Sequence, residues 1–230
     1  MNRPLIVAHR GAPSRRRENT LAGFRDGIAR GAEWVELDLH RTADGALVVF
    51  HDFTLGGRRL VRLTLPEAKR RAHRLRGIRL PILDEVLEGL PRAIGVNIEI
   101  KAPGIGRELL SLLARHLAAE RVLVSSFHHP TISALAGLKP RVATGLLTRR
   151  RLRDPASALR RAGANALVQH YAFADTGLVD RLQRAGFAVW VWPVNRERDL
   201  RRMLALGVDA IITDYPEKLL RLREAASPTS

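Results

Sequence analysis

Residues 33–52 read EWVELDLHRTADGALVVFHD, and the fold turns on this stretch. Trp34 to Leu39 has the alternation of a β-strand, with Val35, Leu37 and Leu39 on one face and Glu36 and Asp38 on the other. Asp44-Gly45 signals a turn, and a second apolar run, Leu47 to Phe50, ends in His51-Asp52. A half-buried strand with its charged face in water would show the same alternation. Two other places argue for something more. Asn97-Ile98-Glu99-Ile100-Lys101 repeats charged residues at a spacing of two inside a strand, and the apolar run Leu5 to Ala8 ends in His9-Arg10. Three strands ending in charged or titratable groups point to one shared polar site.

The rest of the chain supplies the frame for that site. Strands are expected to start at Leu5, Trp34, Ile94, Val122, Val142, Ala166, Ala188 and Ala210. Helices are expected near Phe24 to Ala29, over Pro66–Ala72, Leu83–Leu90 and Arg107–Ala119, and after each later strand up to a last helix from Pro216 to Ala225. Asn19 or Thr20 is placed to cap the first of them. Gly31, Gly163, Gly186 and Gly207 mark helix ends that turn into strands. Eight such units predict an α/β fold, a (β/α)8 TIM barrel with a short insertion after the second strand. An open doubly wound sheet is the alternative, but no G-x-G-x-x-G follows the first strand. One domain over residues 1–226 is expected, with 227–230 as a frayed tail.

Bulk composition narrows the classes. The 230 residues include no cysteine, which excludes disulfides, thiolate metal sites and a cysteine nucleophile. No apolar run has the length of a membrane span, and the N-terminal one is too short for a signal peptide, so a cytoplasmic protein is expected. The net charge is +16, nearly all of the excess being arginine. The arginines are spread over helices and loops without an aromatic ladder, which argues against a specific nucleic-acid partner. Weak attraction to an anionic membrane surface remains an expectation.

In a barrel of this kind the active site lies at the C-terminal ends of the strands. Those ends carry His9 and Arg10, Glu36 and Asp38, Glu99 and Lys101, and, near the top, Trp192 and Asn195; His51 closes the excursion after the second strand. Three carboxylates converging on one mouth repel unless a cation lies between them. An all-oxygen donor set favours Mg²⁺ or Ca²⁺ over zinc. Arg10 and Lys101 beside it suit an anion, and two histidines suit proton transfer near neutral pH. The combination fits phosphoryl chemistry. His73, His116, His128, His129, His170 and His40 are read as structural.

These residues resemble the glycerophosphodiester phosphodiesterase family. The match runs through His9-Arg10-Gly11, Glu18-Asn19-Thr20, Glu36-x-Asp38, Thr42-x-Asp44-Gly45, His51-Asp52, Glu99-Ile100-Lys101, Trp192-x-Val194-Asn195 and Gly207 to Pro216. The resemblance implies a metal-dependent phosphodiesterase that releases glycerol 3-phosphate and an alcohol from a small-molecule phosphodiester. It implies His9 and His51 as the catalytic acid/base pair, Glu36, Asp38 and Glu99 as ligands of a divalent cation, Mg²⁺ or Ca²⁺, and Arg10, Lys101 and Trp192 as substrate contacts. Two positions depart from the family pattern: Arg17 stands where Pro usually precedes Glu-Asn-Thr, and Pro193 where Thr usually follows Trp. The segment between His51 and Glu99 is short and rich in arginine. Lysophospholipase D-like hydrolysis of lysophospholipids is the alternative activity, and a non-catalytic polyanion-binding barrel is the alternative from another class.

Overall fold

The computed structural model describes residues 3–15, 17–116 and 119–226. The tail expected at 227–230 lies outside them. In chain order the elements are β1 (Leu5–Ala8), α1 (Leu21–Ala29), β2 (Trp34–Arg41), β3 (Leu47–Val49), β4 (Thr54–Leu55), β5 (Arg58–Arg59), α2 (Leu65–Arg76) and α3 (Leu83–Gly89). There follow β6 (Gly95–Ile100), α4 (Gly106–His116), β7 (Val122–Ser126), α5 (His129–Ala136), β8 (Ala143–Thr148), α6 (Pro155–Ala162), β9 (Ala166–His170), α7 (Thr176–Arg184), β10 (Ala188–Trp192), α8 (Glu197–Ala205), β11 (Ala210–Thr213) and α9 (Pro216–Ala225).

β1, β2 and β6 to β11 pair in parallel in the order β1-β2-β6-β7-β8-β9-β10-β11, and β11 returns to β1. The sheet is therefore a closed barrel of eight strands with helices between them. Closure is fastened at the N-terminal end by Arg223 of α9. Its guanidinium makes two bonds to Glu33, at 2.8 and 2.9 Å, and a third to the Pro4 carbonyl, while Glu33 also accepts from the Ile6 amide.

Alternation along β2 does what the sequence predicts. Val35, Leu37 and Leu39 pack outward into the layer under the helices, and Trp34 points into the lumen. The lumen floor is apolar, built from Val7, Trp34, Leu123, Val168, Trp190 and Ile212. Trp34 meets Trp190 edge-on at 5.2 Å. Gly95 is required here, because a Cβ would lie 2.1 Å from the Trp34 ring. A bulky plug at the floor leaves the polar residues of the same strands to line the mouth.

β3 turns back antiparallel against the end of β2, through a turn in which Thr42 donates to Asp44. The insertion that follows is more ordered than its sequence suggested. It adds a small hairpin, β4–β5, and a helix that runs on to Arg76 rather than stopping at Ala72. It has its own core, with Leu55, Leu60, Leu63, Ala68, Ala72 and Leu80 packed on Val48 and Phe50. The arginine-rich run after Ala72 hid only its last turn; a capping box between Thr64 and Glu67 and left-handed Gly77 define its ends. Of the helix expected over Arg107–Ala119, Arg107 to His116 is helical, 117 and 118 lie outside the described residues, and Ala119 lies in a 3-10 turn that leads into β7.

Candidate active site

The turn after β1 sets the first part of the site. Arg10, Gly11 and Ala12 all have positive φ, and Gly11 is needed because a Cβ there would lie 2.7 Å from the backbone of α1. This tight turn aims the Arg10 amide at Glu36 Oε2, 2.9 Å away. Parallel register then sets Glu36 beside Asn97 and Asp38 beside Glu99 on neighbouring strands. The result is one pocket lined by His9, Arg10, Glu36, His51, Asn97, Glu99, Lys101, Phe127, Arg149 and Trp192, among others. Of the residues nominated at the strand ends, His9, Arg10, Glu36, His51, Glu99, Lys101 and Trp192 line it, whereas Asp38 is fully buried against Lys101 and Arg10 and Asn195 is bonded to Asp214.

The carboxylates are buried: Glu36 is 4% exposed, Asp38 0% and Glu99 7%. This rules out a charged strand face in water. Ligand atoms of the three lie within 4.8 Å of one another. Burial, reinforced by the charge of Asp38, pushes the Glu36 carboxyl up to about 8. Burial also pushes Glu99 up to about 7, with Lys101 opposing and Asp38 adding to the rise. Asp38 goes the other way. Despite burial, Lys101, Arg10 and a hydrogen bond from Asn19 hold it below the usual carboxylate range. Lys101 Nζ sits 3.0 Å from Asp38 Oδ1 and 2.5 Å from Glu99 Oε1, and Arg10 Nε lies 3.2 Å from Asp38 Oδ2. Two cations therefore answer three carboxylates. Two of those acids are pushed toward protonation, and a divalent cation among them would relieve that strain. The donor set fits such an ion.

Each histidine of the pocket is held by an aspartate. His9 Nδ1 and Asp214 Oδ1 are 2.7 Å apart, and His51 Nδ1 and Asp52 Oδ1 are 2.8 Å apart. With Nδ1 bonded to a carboxylate, Nε2 is left on each ring to exchange a proton. Burial lowers the affinity of His9 for its proton, but the Asp214 bond and the charges of Glu36 and Asp214 outweigh it, and its pKa is raised. Asp214 is itself fastened by Asn195, whose Nδ2 donates to Oδ2 at 2.6 Å while its Oδ1 accepts from the Asp214 amide.

His40 behaves differently. Burial holds it down at about 4, so it is neutral at pH 7, and it lies 3.4 Å from the His51 carbonyl. His116, His128, His129 and His170 each have a local partner in Asp84, Thr131, the Leu147 carbonyl and the Ala172 amide. These histidines do not line the pocket.

Four residues of the site were missed as functional candidates: Asn19, Asp52, Asp214 and Arg149. Thr20 makes the helix cap, and Asn19 instead clasps Asp38 through its side-chain amide, donating to Oδ2 at 2.8 Å and accepting from the backbone N–H. Asn19, Asp52 and Asp214 stood inside quoted motifs but carried no signal of their own. Arg149, just past β8, had none at all. Its guanidinium lies over Phe127 and Trp192, 5.1 and 5.7 Å from the ring centroids. Phe127 and Trp192 meet edge-on at 5.3 Å, and Trp192 Nε1 donates to the Val168 carbonyl. Arg149 has no carboxylate within ion-pair distance among the described residues, whereas Arg10 and Lys101 are both tied to acids.

Comparisons with known proteins show what the chain is similar to. The sequence model of the Glycerophosphoryl diester phosphodiesterase family matches residues 9–218. A glycerophosphodiester phosphodiesterase of Caldanaerobacter subterraneus subsp. tengcongensis is 36% identical, over 95% of this chain and 97% of its own length. A lysophospholipase D of Rattus norvegicus is 27% identical, over 93% of this chain and 84% of its own length. Among solved structures, a phosphodiesterase of Oleispira antarctica in complex with the product sn-glycerol-3-phosphate superposes with a TM-score of 0.85 at 26% identity, covering 96% of this chain and 97% of that one.

Proposed function

The chain belongs to the Glycerophosphoryl diester phosphodiesterase family, and we propose that it hydrolyses glycerophosphodiesters to glycerol 3-phosphate and an alcohol in a divalent-cation-dependent reaction. One observation carries this reading: two histidines, each bonded to an aspartate, line one pocket with Glu36 and Glu99, and Asp38 completes a cluster of three buried carboxylates there. The family match over residues 9–218, within an expected single domain of 1–226, supports it.

In this reading His9 and His51 are the catalytic pair. One Nε2 takes the proton of the glycerol hydroxyl as its oxygen bonds to phosphorus, while the other gives a proton to the alkoxide whose P–O bond breaks; water then attacks the resulting cyclic phosphate with the roles reversed, and the ring P–O bond opens to give glycerol 3-phosphate. Asp214 and Asp52 are positioning residues that hold the rings and keep Nδ1 occupied. Glu36, Asp38 and Glu99 would hold the cation, Mg²⁺ or Ca²⁺. When bound, it would offset charge on the phosphate oxygens and lower the cost of the crowded carboxylates. Arg10 and Lys101 supply further positive charge at the phosphate while bracing the acids. Arg149, with no acid to hold it, is assigned to the substrate anion, and Trp192 with Phe127 forms the apolar wall beneath its guanidinium.

The test is release of glycerol 3-phosphate from glycerophosphocholine and glycerophosphoethanolamine, with EDTA and with added Mg²⁺ or Ca²⁺. Metal-dependent release supports the reading, and no release under any metal removes it. A second reading, hydrolysis of lysophospholipids, is favoured by the aromatic wall of Phe127 and Trp192 and by the more distant lysophospholipase D relative. It predicts choline release from lysophosphatidylcholine, and the absence of that release excludes it.

A further inference from the structure

Half of the formal charge sits on a small part of the chain. Residues 53–82 carry nine lysines and arginines and one acid, Glu67, so this insertion has a net charge of +8 out of +16. A uniform preference for arginine would spread that excess over the whole sequence. Arg58, Arg70, Arg71 and Arg74 line one hollow between the β4–β5 hairpin and α2, and Glu67 alone answers them there. Its carboxylate is turned to the Thr64 amide at 2.9 Å. Arg59 and Arg62 are exposed beside the hairpin, and neither has a carboxylate within ion-pair distance among the described residues.

Exposed apolar side chains gather on the same element. Of the large hydrophobic residues exposed among the described residues, Phe53 (58%), Val61 (45%) and Leu75 (49%) belong to the insertion, and the other, Phe173, follows β9 at the same end of the barrel. Leu75 lies against the hairpin tip, where a Cβ on Gly56 would come within 2.4 Å of its Cδ1, and Arg71 reaches the Gly56 carbonyl. Leu75 and the arginine hollow are thus one continuous surface.

That surface is fastened to the mouth of the barrel. Arg76, at the end of α2, donates to Asp52 at 2.7 Å, and Asp52 holds His51. Phe53 meets His40 edge-on at 5.2 Å. Guanidinium groups interleaved with exposed Phe, Val and Leu suit the interface of an anionic bilayer, where apolar tips enter the headgroup boundary and each basic residue adds electrostatic attraction. No helix among the described residues is long and apolar enough to cross a membrane, so such contact would be peripheral.

We propose that the insertion 53–82 is a docking surface for anionic phospholipid bilayers that brings the barrel mouth to the membrane. The inference does not depend on which phosphodiester is cleaved. It is tested by co-sedimentation of the full chain with vesicles of phosphatidylcholine alone and of phosphatidylcholine with one-third phosphatidylglycerol, at low and at molar salt. The chain is expected to sediment with the anionic vesicles at low salt and to be released by salt. Arg58→Ser/Arg74→Ser should weaken this binding about tenfold or more. Arg92→Ser/Arg141→Ser removes the same charge from exposed positions that precede β6 and β8 at the far end of the barrel, and should leave it unchanged. Phe53→Ser should weaken binding with no change in net charge. Equal losses from the two arginine pairs would mean general charge attraction and overturn the proposal. So would failure to bind anionic vesicles, or binding to a duplex oligonucleotide alone. Circular dichroism of each variant separates lost binding from lost fold.

Discussion

The lumen mouth and the insertion beside it handle charge in opposite ways. At the mouth, Glu36, Asp38 and Glu99 are buried, and Arg10, Lys101, Asn19 and the Arg10 amide are arranged around them. On the insertion, exposed arginines outnumber acids and few are paired. The contrast follows from solvation. A buried charge without partners costs several kcal/mol, so an acid in the lumen persists only with its answers in place. Water answers an exposed guanidinium at little cost. Unsatisfied charge inside the barrel therefore points to a cation, while unsatisfied charge outside it points to a partner only when clustered with exposed apolar residues.

The comparison breaks most sharply at the histidines. His9→Ala or His51→Ala should lower kcat about 10³-fold with circular dichroism unchanged. A wild-type rate from either variant would detach the pocket from the chemistry. Asp214→Asn should cost of order 10²-fold. It should also move the His9 titration, followed by NMR, to lower pH, because the bond and charge that raise it are gone; an unmoved titration would mean that Asp214 does not position His9.

The acids come next. Between its ordinary 4.5 and about 8 the folded chain keeps on Glu36 a proton that the unfolded chain has released. Stability of the metal-free protein should therefore fall as pH rises through that window, and added Mg²⁺ or Ca²⁺ should restore it most at the alkaline end. Glu36→Gln should flatten the pH slope and remove the rise in Tm on adding metal. A variant with an unchanged metal titration would take Glu36 out of the cation shell.

Smaller effects sharpen the boundary between the two regions. Arg149→Ala should raise KM about tenfold, the loss of one charge-assisted bond, with a lesser effect on kcat; an unchanged KM would return Arg149 to the surface. Arg62→Ser, on the insertion, should change stability by no more than about 0.5 kcal/mol and leave turnover of a soluble substrate as it was. A large loss there would mean that the insertion's charges brace the fold.

Much of this molecule is legible in its residue order. The two-residue period of Trp34 to Leu39, the glycines at helix ends and the eight strand starts are local signals, and they yield the barrel and the face on which Glu36 and Asp38 lie. The ends of β1, β2 and β6 also name His9, Arg10, Asp38, Glu99 and Lys101, because strand ends at the barrel mouth must converge. Only the tertiary structure shows which charges answer which. Asp214 meets His9 across 205 positions of chain, Asn19 turns from a helix cap into the clasp of Asp38, and Arg149 alone among the pocket's cations is left without an acid. Such pairings arise when distant segments close into one low-dielectric space, where every buried charge must find a partner. The distance along the chain that separates those partners carries no local pattern by which to read them.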